Sequence, residues 1–439
     1  MVSLETTIIA LAFPEIVDAF PGSSPRTLSW VLTAYNVGVA SFLLSAGYWA
    51  DRAGRKKVFL IGVAIFATGS ALATLAWSGP ALIAARIIQS IGGAVQYPAG
   101  LALLLDAHPP ERRRAAIGVW GAMGAMAAAA GPSMGGLLID AFNWRAIFAI
   151  NVPVAIGTIA LGHTWLRERS EPPASGSVDL IGVPMASIGV GAIVLGIVQI
   201  EVWGASIELA TTFAAGCALL LVFIIRSVSH AAPLLDLALF RIRTYAVGNI
   251  GAVAFTLGFF AWLVTLPTFI QEVWGWGIRK TGFALALSPL IAMVASILGG
   301  RIADKVGVRT LLVVSGAAGV TGMLLHRILT GQNPSLVIGL WLPGMFVGLG
   351  AGLGFSMNVA AIMGDVPQAR FGMAGAGRTT IFQLATAIGF AVGFAIIAGD
   401  LGSAALLGRM RIVWVVSAAL YGIQTLVYLF VFPRTPSAR

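Results

Sequence analysis

The chain alternates long apolar stretches with short polar breaks. The apolar stretches run for about twenty residues, which as an α-helix is the length needed to cross about 30 Å of hydrocarbon. A membrane β-barrel would instead alternate polar and apolar residues over segments of about ten positions. The pattern predicts fourteen membrane-spanning helices, over residues 1–20, 30–50, 58–77, 80–105, 115–139, 146–165, 179–200, 205–225, 244–270, 281–300, 310–329, 335–363, 372–399 and 412–433.

Composition supports an all-α polytopic membrane protein. Of the 439 residues, 58% are hydrophobic and only 10% are charged, against about 25% charged in a typical soluble domain. The net charge of +10 does not indicate a nucleic-acid partner, because the basic residues lie in short loops where they set topology and meet lipid headgroups. We therefore expect a lipid bilayer as the surroundings and no nucleic-acid binding.

The placement of lysine and arginine predicts the orientation. With an even number of spans, eighteen of the twenty-seven basic residues fall on the side that carries both termini and seven on the other. The positive-inside rule then puts both termini in the cytoplasm, in an inner (plasma) membrane. The first span starts at Met1 with an acid only four residues later. If residues 4–20 are the outer part of a longer helix, its cytoplasmic end is missing here, and Glu5 is then either near mid-membrane or frayed into the cytoplasm.

Two charged hairpins interrupt the apolar pattern at related places. Gly47–Lys57 reads GYWADRAGRKK, and a weaker copy occupies Gly300–Arg309. Asp51 matches Asp304, Arg52 matches Lys305, and Gly54 matches Gly307 at a constant offset. Hairpins this short and charged belong at a membrane face. They either fix topology alone or form a latch that opens and closes that face.

Several motifs, in order, resemble the fourteen-spanner drug–proton antiporter branch of the major facilitator superfamily. The first hairpin is similar to the family's loop between helices 2 and 3, and residues 86–93 (RIIQSIGG) to its fourth-helix motif, with Ser90 where a glycine is usual. Residues 131–136 (GPSMGG) are similar to the antiporter motif of helix 5. Residues 4–14, 143–153 and 233–241 also resemble this branch, although Glu5 stands where an aspartate is usual.

The resemblance implies a major facilitator fold with two six-helix bundles and two extra helices between them. In this chain the bundles would be residues 1–165 and 244–439, joined by residues 166–243, which hold a polar linker and the two additional spans. The resemblance also implies a monomer that exports small amphiphilic substrates by alternating access, in exchange for protons. It implies a cytoplasmic gate at Gly47, Asp51, Arg52, Gly54, Arg55, Lys56, Asp304, Lys305 and Gly307.

Glu5 and Arg86 are the candidate proton-coupling residues. Glu5 is the one carboxylate that the pattern places within the apolar part of a span, and Arg86 lies inside the fourth span. A buried guanidinium is costly unless it is paired or faces water. Proton-coupled export needs a group that binds a proton on one side and releases it on the other, which a carboxylate beside an arginine can do. The alternatives are a solvated acid at a helix start and an arginine that snorkels to the interface.

Other residues are candidates for gating and for the substrate cavity. Gly131, Pro132, Gly135 and Gly136 of the antiporter motif would permit a kink and close helix packing. A polar stripe on the fourth span and a polar run around Arg378 point to a cavity, although aromatic and methionine residues more often face lipid or pack. The cavity candidates are Tyr35, Gln89, Gln96, Tyr97, Trp120, Met123, Phe260, Arg378 and Gln383.

The sequence carries no motif for ATP hydrolysis, acyl transfer or metal binding. Cys217 is the only cysteine, which excludes an intrachain disulfide. We therefore predict a transporter without catalytic residues, metal or cofactor. Two alternatives stay open on the same fold: an exporter of one endogenous metabolite, lipid or siderophore, and a receptor or scaffold that does not transport.

Overall fold

The computed structural model describes residues 2–28, 30–168, 181–204, 206–229, 237–397 and 402–433. Within these ranges the regular structure is helical and no strand occurs. The helices are α1 (Val2–Ala19), α2 (Pro25–Leu28), α3 (Trp30–Ala53), α4 (Arg55–Thr74), α5 (Gly79–Asp106), α6 (Pro110–Ala141), α7 (Ala146–Ala149), α8 (Asn151–Trp165), α9 (Gly182–Trp203), α10 (Ile207–Ser229), α11 (Arg243–Glu272), α12 (Ile278–Leu285), α13 (Leu287–Val306), α14 (Val308–Leu329), α15 (Leu342–Met363), α16 (Phe371–Ile397) and α17 (Ser403–Leu426).

Short 3₁₀ and π segments extend this set. Leu237–Arg241 precedes α11, Leu336–Trp341 leads into α15, and Val427–Val431 continues α17. In the described ranges ten helices or helix pairs are long and apolar enough to cross a membrane. Two shorter apolar helical stretches lie within α3 and α9, over Trp30–Leu43 and Gly182–Ile197. The predicted all-helical membrane fold is thus confirmed in its class, and the count of fourteen crossings stays a prediction.

Some helix boundaries differ from those predicted, because a charged residue ends an apolar pattern without ending a helix. α17 begins at Ser403 rather than at residue 412, so Arg409 and Arg411 lie within it. Arg409 donates to the main-chain carbonyl of Ile396 at 3.4 Å, which occupies part of its hydrogen-bonding capacity. α13 likewise continues to Val306, past the predicted end at residue 300.

The chain divides into two compact units. Unit 1 comprises residues 1–107, 130–238 and 367–380, and unit 2 comprises residues 108–129, 239–366 and 381–439. The core of unit 1 includes Ile8 of α1, Leu82 of α5 and Phe148 of α7, all fully buried. In unit 2 the corresponding core includes Phe269 of α11, Met323 of α14 and Trp414 of α17. α6 and α16 each contribute residues to both units.

The two charged hairpins share one backbone feature. Gly54 has φ of 98° and Gly307 has φ of 86°, and each lies at the junction of two helices, α3–α4 and α13–α14. Residues that carry a side chain rarely adopt a positive φ of this size, so glycine is required at both turns. The alignment of Gly54 with Gly307 in the sequence therefore corresponds to the same turn in the structure.

Glycines also bring α4 and α5 into close contact within unit 1. A Cβ atom added to Gly92 would lie 2.3 Å from the main-chain nitrogen of Phe66, and one added to Gly69 would lie 2.4 Å from that of Gln89. Neither clash can be relieved by rotating a side chain, because main-chain atoms are involved. Small residues at such crossings allow helices in membranes to approach closely.

Gly92→Ala should therefore destabilise the protein by about 1–3 kcal/mol, the usual cost of overpacking. Gly157→Ala on α8 is the matched control, since nothing lies within 4 Å of its added methyl group. Alanine is also the better helix former, so this variant should be neutral or slightly stabilising. Thermal unfolding of both variants in one detergent measures the difference. Equal melting temperatures for the two would contradict the close contact of α4 with α5.

Candidate functional site

Glu5 and Arg86 form an ion pair in the interior of unit 1. Oε1 of Glu5 lies 2.5 Å from Nη1 of Arg86, and both side chains are almost wholly inaccessible. Nδ2 of Asn151 donates to the other carboxylate oxygen at 2.8 Å. The carboxylate thus holds a cation on one oxygen and a neutral amide on the other. Glu5 is a buried residue and not a solvated acid at a helix start.

The guanidinium has partners on several sides. Nε of Arg86 donates to the main-chain carbonyl of Val31 at 2.9 Å, and Nη1 also donates to Oε1 of Gln89 at 2.5 Å. The Tyr35 ring centre lies 4.2 Å from Cζ, within the range of a cation–π contact, and the Phe148 ring centre lies 5.6 Å away. These contacts compensate for the loss of hydration that burial of the charge causes.

Local sequence explains how α5 presents this site. The hydroxyl of Ser78 accepts from the main-chain amide of Ala81, and proline occupies the first turn, so the helix starts firmly at this point. Arg86 and Gln89 are three residues apart and share a face of the helix. Nε2 of Gln89 then donates to the hydroxyl of Ser70 on α4 at 2.8 Å.

The sequence did not single out two members of this network. Asn151 is the first residue of α8 and donates to Glu5, and Ser70 accepts from Gln89. Both are neutral, and a neutral polar residue in an apolar stretch is too common to mark a site. Asn151 does lie in the stretch 143–153 that resembles the antiporter branch, and that was its one available signal.

The network can respond to a single proton. A protonated Glu5 would lose its charge and leave the guanidinium with a carbonyl, an amide oxygen and two aromatic rings as partners. Burial makes that change in electrostatic energy larger than it would be in water. Protonation of this one carboxylate would therefore change the contacts among α1, α3, α5 and α8.

Arg55 links the first hairpin to two other segments of unit 1. This side chain forms an ion pair with Asp106 at the end of α5, and Nη2 donates to the main-chain carbonyl of Gln368 at 2.9 Å. Nε2 of Gln368 donates to the second oxygen of Asp106 at 3.0 Å. The three residues thus close a ring of polar contacts at the start of α4. Asp106 and Gln368 were not predicted.

Glu168 caps the start of α4. Its carboxylate oxygens accept from the main-chain amides of Lys56 and Lys57 at 3.3 and 3.1 Å. A carboxylate at this position satisfies exposed amides and complements the helix dipole. Nζ of Lys56 donates to the carbonyl of His163 at 2.9 Å. The side chains of the remaining gate candidates in this hairpin lie outside the described residues: Gly47, Asp51 and Arg52.

The polar contacts described for the second hairpin lie within unit 2. Asp304 pairs with Arg114 of α6, and both side chains are partly exposed. Next to this pair, α6 and α13 cross closely: the hydroxyl of Ser296 donates to the carbonyl of Gly118 at 2.8 Å. A Cβ atom added to Gly300 would lie 3.0 Å from Cα of Gly118. Lys305 is exposed at the end of α13.

The antiporter-motif residues lie in α6, which is assigned as one continuous helix from Pro110 to Ala141. Gly135 is buried. The positions of Gly131, Pro132 and Gly136 belong to this helix, but their surroundings lie outside the described residues. The gating role of this motif stays a prediction.

Two cavity candidates meet within unit 1. Tyr97 of α5 and Arg378 of α16 are hydrogen-bond partners, and Nη2 of Arg378 also contacts the hydroxyl of Thr379 at 3.2 Å. Gln96, beside Tyr97, is buried as well. Tyr35 and Gln89 belong instead to the network around Arg86.

The candidates in unit 2 are more dispersed. Phe260 packs edge-on against Phe382, Phe355 and Phe390, with ring centres 5.8, 6.3 and 5.2 Å away. The sequence did not predict this aromatic cluster, because its members come from α11, α15 and α16. Trp120 and Gln383 are partly buried, and Met123 is exposed.

Comparison with known proteins gives a consistent result. The family model described as Major Facilitator Superfamily matches residues 1–389. The multidrug resistance protein Stp of Mycobacterium tuberculosis is 31% identical over 92% of this chain and 74% of its own length. The riboflavin transporter RibZ of Clostridioides difficile is 28% identical over 89% of this chain and 84% of its own. The crystal structure of the human organic anion transporter MFSD10 aligns with a TM-score of 0.67 over 97% of this chain and 96% of its own, at 14% identity, which is a likeness of fold alone.

Arg86→Met should destabilise the protein by about 3–5 kcal/mol, because it leaves the Glu5 carboxylate buried without its cation. The double variant Glu5→Met/Arg86→Met should recover most of that loss, since two apolar side chains replace the pair. Arg112→Met, at an exposed position of α6, is the control and should be neutral. Unfolding midpoints in detergent measure all three. A double variant no more stable than Arg86→Met would show that the pair is not the source of the effect.

Proposed function

The chain belongs to the Major Facilitator Superfamily of multi-pass membrane transporters, and we propose that it is a proton-coupled exporter of amphiphilic drugs or toxic small molecules. The observation that carries this proposal is the buried Glu5–Arg86 pair with Asn151 on its second oxygen. A relative named for multidrug resistance supports the choice of substrate class. A bacterial plasma membrane, with both termini in the cytoplasm, is the location that fits the basic-residue bias.

Glu5 is the proton carrier in this mechanism. In the unprotonated state it holds Arg86 and the four helices around it in the observed arrangement. Protonation neutralises the carboxylate, and the network rearranges because the guanidinium has lost its counterion. Release of the proton to the other side restores the pair and the original arrangement. Substrate binding competes with this step through the contacts that Arg86 and Gln89 make.

The fourteen-span arrangement belongs to the same proposal. Each of the fourteen predicted stretches overlaps a helix of the described structure. The bundles are residues 1–165 and 244–439, and α9 and α10 are the two additional spans within residues 166–243. α9 packs against both α10 and α3, which is consistent with a helix pair placed beside the first bundle. We expect the protein to work as a monomer.

The two hairpins form the cytoplasmic gate in this proposal. Arg55 with Asp106 and Gln368, and Arg114 with Asp304, are polar contacts that water can replace when the face opens. Gly54 and Gly307 supply the turns on which the hairpins depend. The partly exposed Arg114–Asp304 pair is worth little in water, so it can break without a large energy input.

The cavity chemistry favours monocationic, neutral or anionic amphiphiles over dications. Arg86 and Arg378 are both buried, and Glu5 is the acid paired with the first of them. A second candidate function is export of a single metabolite, which the riboflavin transporter among the relatives keeps open. Substrate profiling of a deletion strain separates the two, because a multidrug exporter protects against unrelated compounds and a metabolite exporter does not.

Glu5→Gln should abolish substrate movement driven by an imposed pH gradient in proteoliposomes, while substrate binding is retained. Glutamine keeps the shape and the hydrogen bonds of a protonated glutamate but cannot release a proton. Asp18→Asn is the matched control, since Asp18 is an exposed acid on the same helix, and it should behave like the parent. No substrate-dependent proton movement in the parent, with Glu5→Gln indistinguishable from it, would sink the antiporter hypothesis and favour a receptor or scaffold.

Crosslinking across the second hairpin should block transport if this face must open. In a Cys217→Ser background, which has no other cysteine, Arg114→Cys and Asp304→Cys would be joined by a short reducible bis-thiosulfonate reagent. We expect transport to stop on crosslinking and to return on reduction, and either single-cysteine variant to be unaffected. Undiminished transport by fully crosslinked protein would rule out a gate at Asp304.

A further inference from the structure

Inside unit 2, a stripe of buried polar side chains follows one face of α17 and of its continuation Val427–Val431. Its members are spaced three or four residues apart, which places them on one side of a helix. None of the five has accessible surface: Trp414, Ser417, Tyr421, Gln424 and Tyr428. From first to last the stripe covers about 20 Å, most of the thickness of a bilayer core. The export mechanism proposed above does not involve this stripe.

α14 runs antiparallel to this stripe and leaves room for it. Nε of Arg309 donates to the carbonyl of Tyr428 at 2.8 Å, at one end of the pair of helices. At the other end the ring of His326 stacks on Trp414, with ring centres 5.5 Å apart and planes at 24°. Between them, a Cβ atom on Gly319 would lie 2.2 Å from the Tyr421 ring, so only glycine fits.

Hydrogen bonds fix the tautomer of His326. The hydroxyl of Thr330 donates its single proton to the carbonyl of Gly339. Its contact with Nδ1 of His326, at 3.2 Å, must therefore be one in which the ring nitrogen donates. The proton of the neutral ring is then on Nδ1, and Nε2 carries a lone pair. That lone pair has no hydrogen-bond partner among the described residues.

Four more buried polar atoms, on α11 and α17, share that property. Within the described part of the chain, no hydrogen-bond partner is found for Nε1 of Trp262, Nε1 of Trp414, Oγ of Ser417 or the Tyr421 hydroxyl. The Trp262 ring contacts His326 at 5.9 Å between centres. At the other end of the stripe Nε2 of Gln424 donates to the hydroxyl of Ser315 and the Tyr428 hydroxyl donates to the carbonyl of Gly248. Oε1 of Gln424 has no partner in the described part of the chain.

Buried polar groups in proteins are hydrogen-bonded in the large majority of cases, often to internal water. Here two indole N–H donors, two hydroxyls and one imidazole lone pair occur on three adjoining helices. We propose that these five side chains bind a file of internal water molecules, and that this file carries protons to and from Nε2 of His326. The proton role rests on the proposed function and would give the exporter a second proton-binding group besides Glu5.

The surroundings of His326 suit a ring that is charged only transiently. A proton passing from water to Nε2 gives an imidazolium next to the rings of Trp414 and Trp262, and the faces of such rings attract a cation. Charged groups also occur at this end of the helices packed against it: Arg327 on α14, Glu272 on α11, and Arg409 and Arg411 on α17. Arg327 and Glu272 are exposed, Arg411 is half-buried, and Arg409 donates to Ile396. The segment Leu336–Trp341 carries no charged side chain.

Radiolytic hydroxyl-radical labelling of the full chain in nanodiscs tests the water file without any transport assay. Radicals formed from internal water modify the side chains next to it. Tyr421 and Trp414 should be modified several-fold faster than their matched controls, Tyr428 and Trp274, which are also buried but bond the carbonyls of Gly248 and Gly331. Equal rates within both pairs would overturn the proposal.

Tyr421→Phe is a second test of whether internal water binds the Tyr421 hydroxyl. If water satisfies the hydroxyl, its removal deletes a hydrogen bond and the melting temperature falls. If the hydroxyl is dry and unpaired, its removal relieves a desolvation cost and the melting temperature rises, which would contradict the proposal.

His326→Asn tests the proton role. Asparagine can keep the donor to Thr330 but has no counterpart of Nε2. Because asparagine is smaller than the stacked ring, we expect a lowered melting temperature in a protein that still folds, together with a several-fold loss of substrate-coupled proton movement. Undiminished proton movement in this variant would overturn the proton role of His326. Glu5→Gln in the same assay separates the two hypotheses: loss in Glu5→Gln with a parent-like His326→Asn leaves the proposed function standing and removes this one.

Discussion

A guanidinium inside a membrane helix costs several kcal/mol unless it is paired or hydrated, and unit 1 is arranged around that cost. Arg86 receives a carboxylate from α1, a main-chain carbonyl from α3, an amide oxygen from its own helix and the ring of Tyr35. These partners connect α5 to α1 and α3, and Asn151 adds α8 through its hydrogen bond to Glu5. The charge therefore links four helices, and loss of its counterion would change the contacts among them.

The sequence predicted the two charged members of this network and named Tyr35 and Gln89 only as cavity candidates, and it did not single out Asn151 or Ser70. A charge in an apolar stretch is rare enough to be noticed one residue at a time, so Glu5 and Arg86 stood out. Asn151, Ser70 and the carbonyl of Val31 became visible only once α8, α4 and α3 were placed in space. The predicted helices were right in class for a similar reason: twenty apolar residues carry a strong local signal, whereas their exact ends do not.

The hairpins show the same limit at longer range. The repeat of Gly54 at Gly307 was readable, because the offset is constant, and the two turns have matching backbone angles. Their ion-pair partners were not readable: Asp106 and Arg114 lie on other helices and look like ordinary loop-proximal charges. A local repeat predicts a local shape, while the pairing of charges depends on how distant segments pack.

The two units meet the demands of burial in different ways. Unit 1 neutralises a cation with an anion, so protonation of the carboxylate would change its interior contacts. In unit 2, α11, α14 and α17 pack by close approach at glycines and through neutral polar side chains, with His326 held in one tautomer by Thr330. A lone pair among aromatic rings can accept a proton only where water delivers it. The physical difference between the units is therefore one of access: in unit 1 a proton would change an ion pair, and in unit 2 it would first have to reach a site that is surrounded by apolar packing.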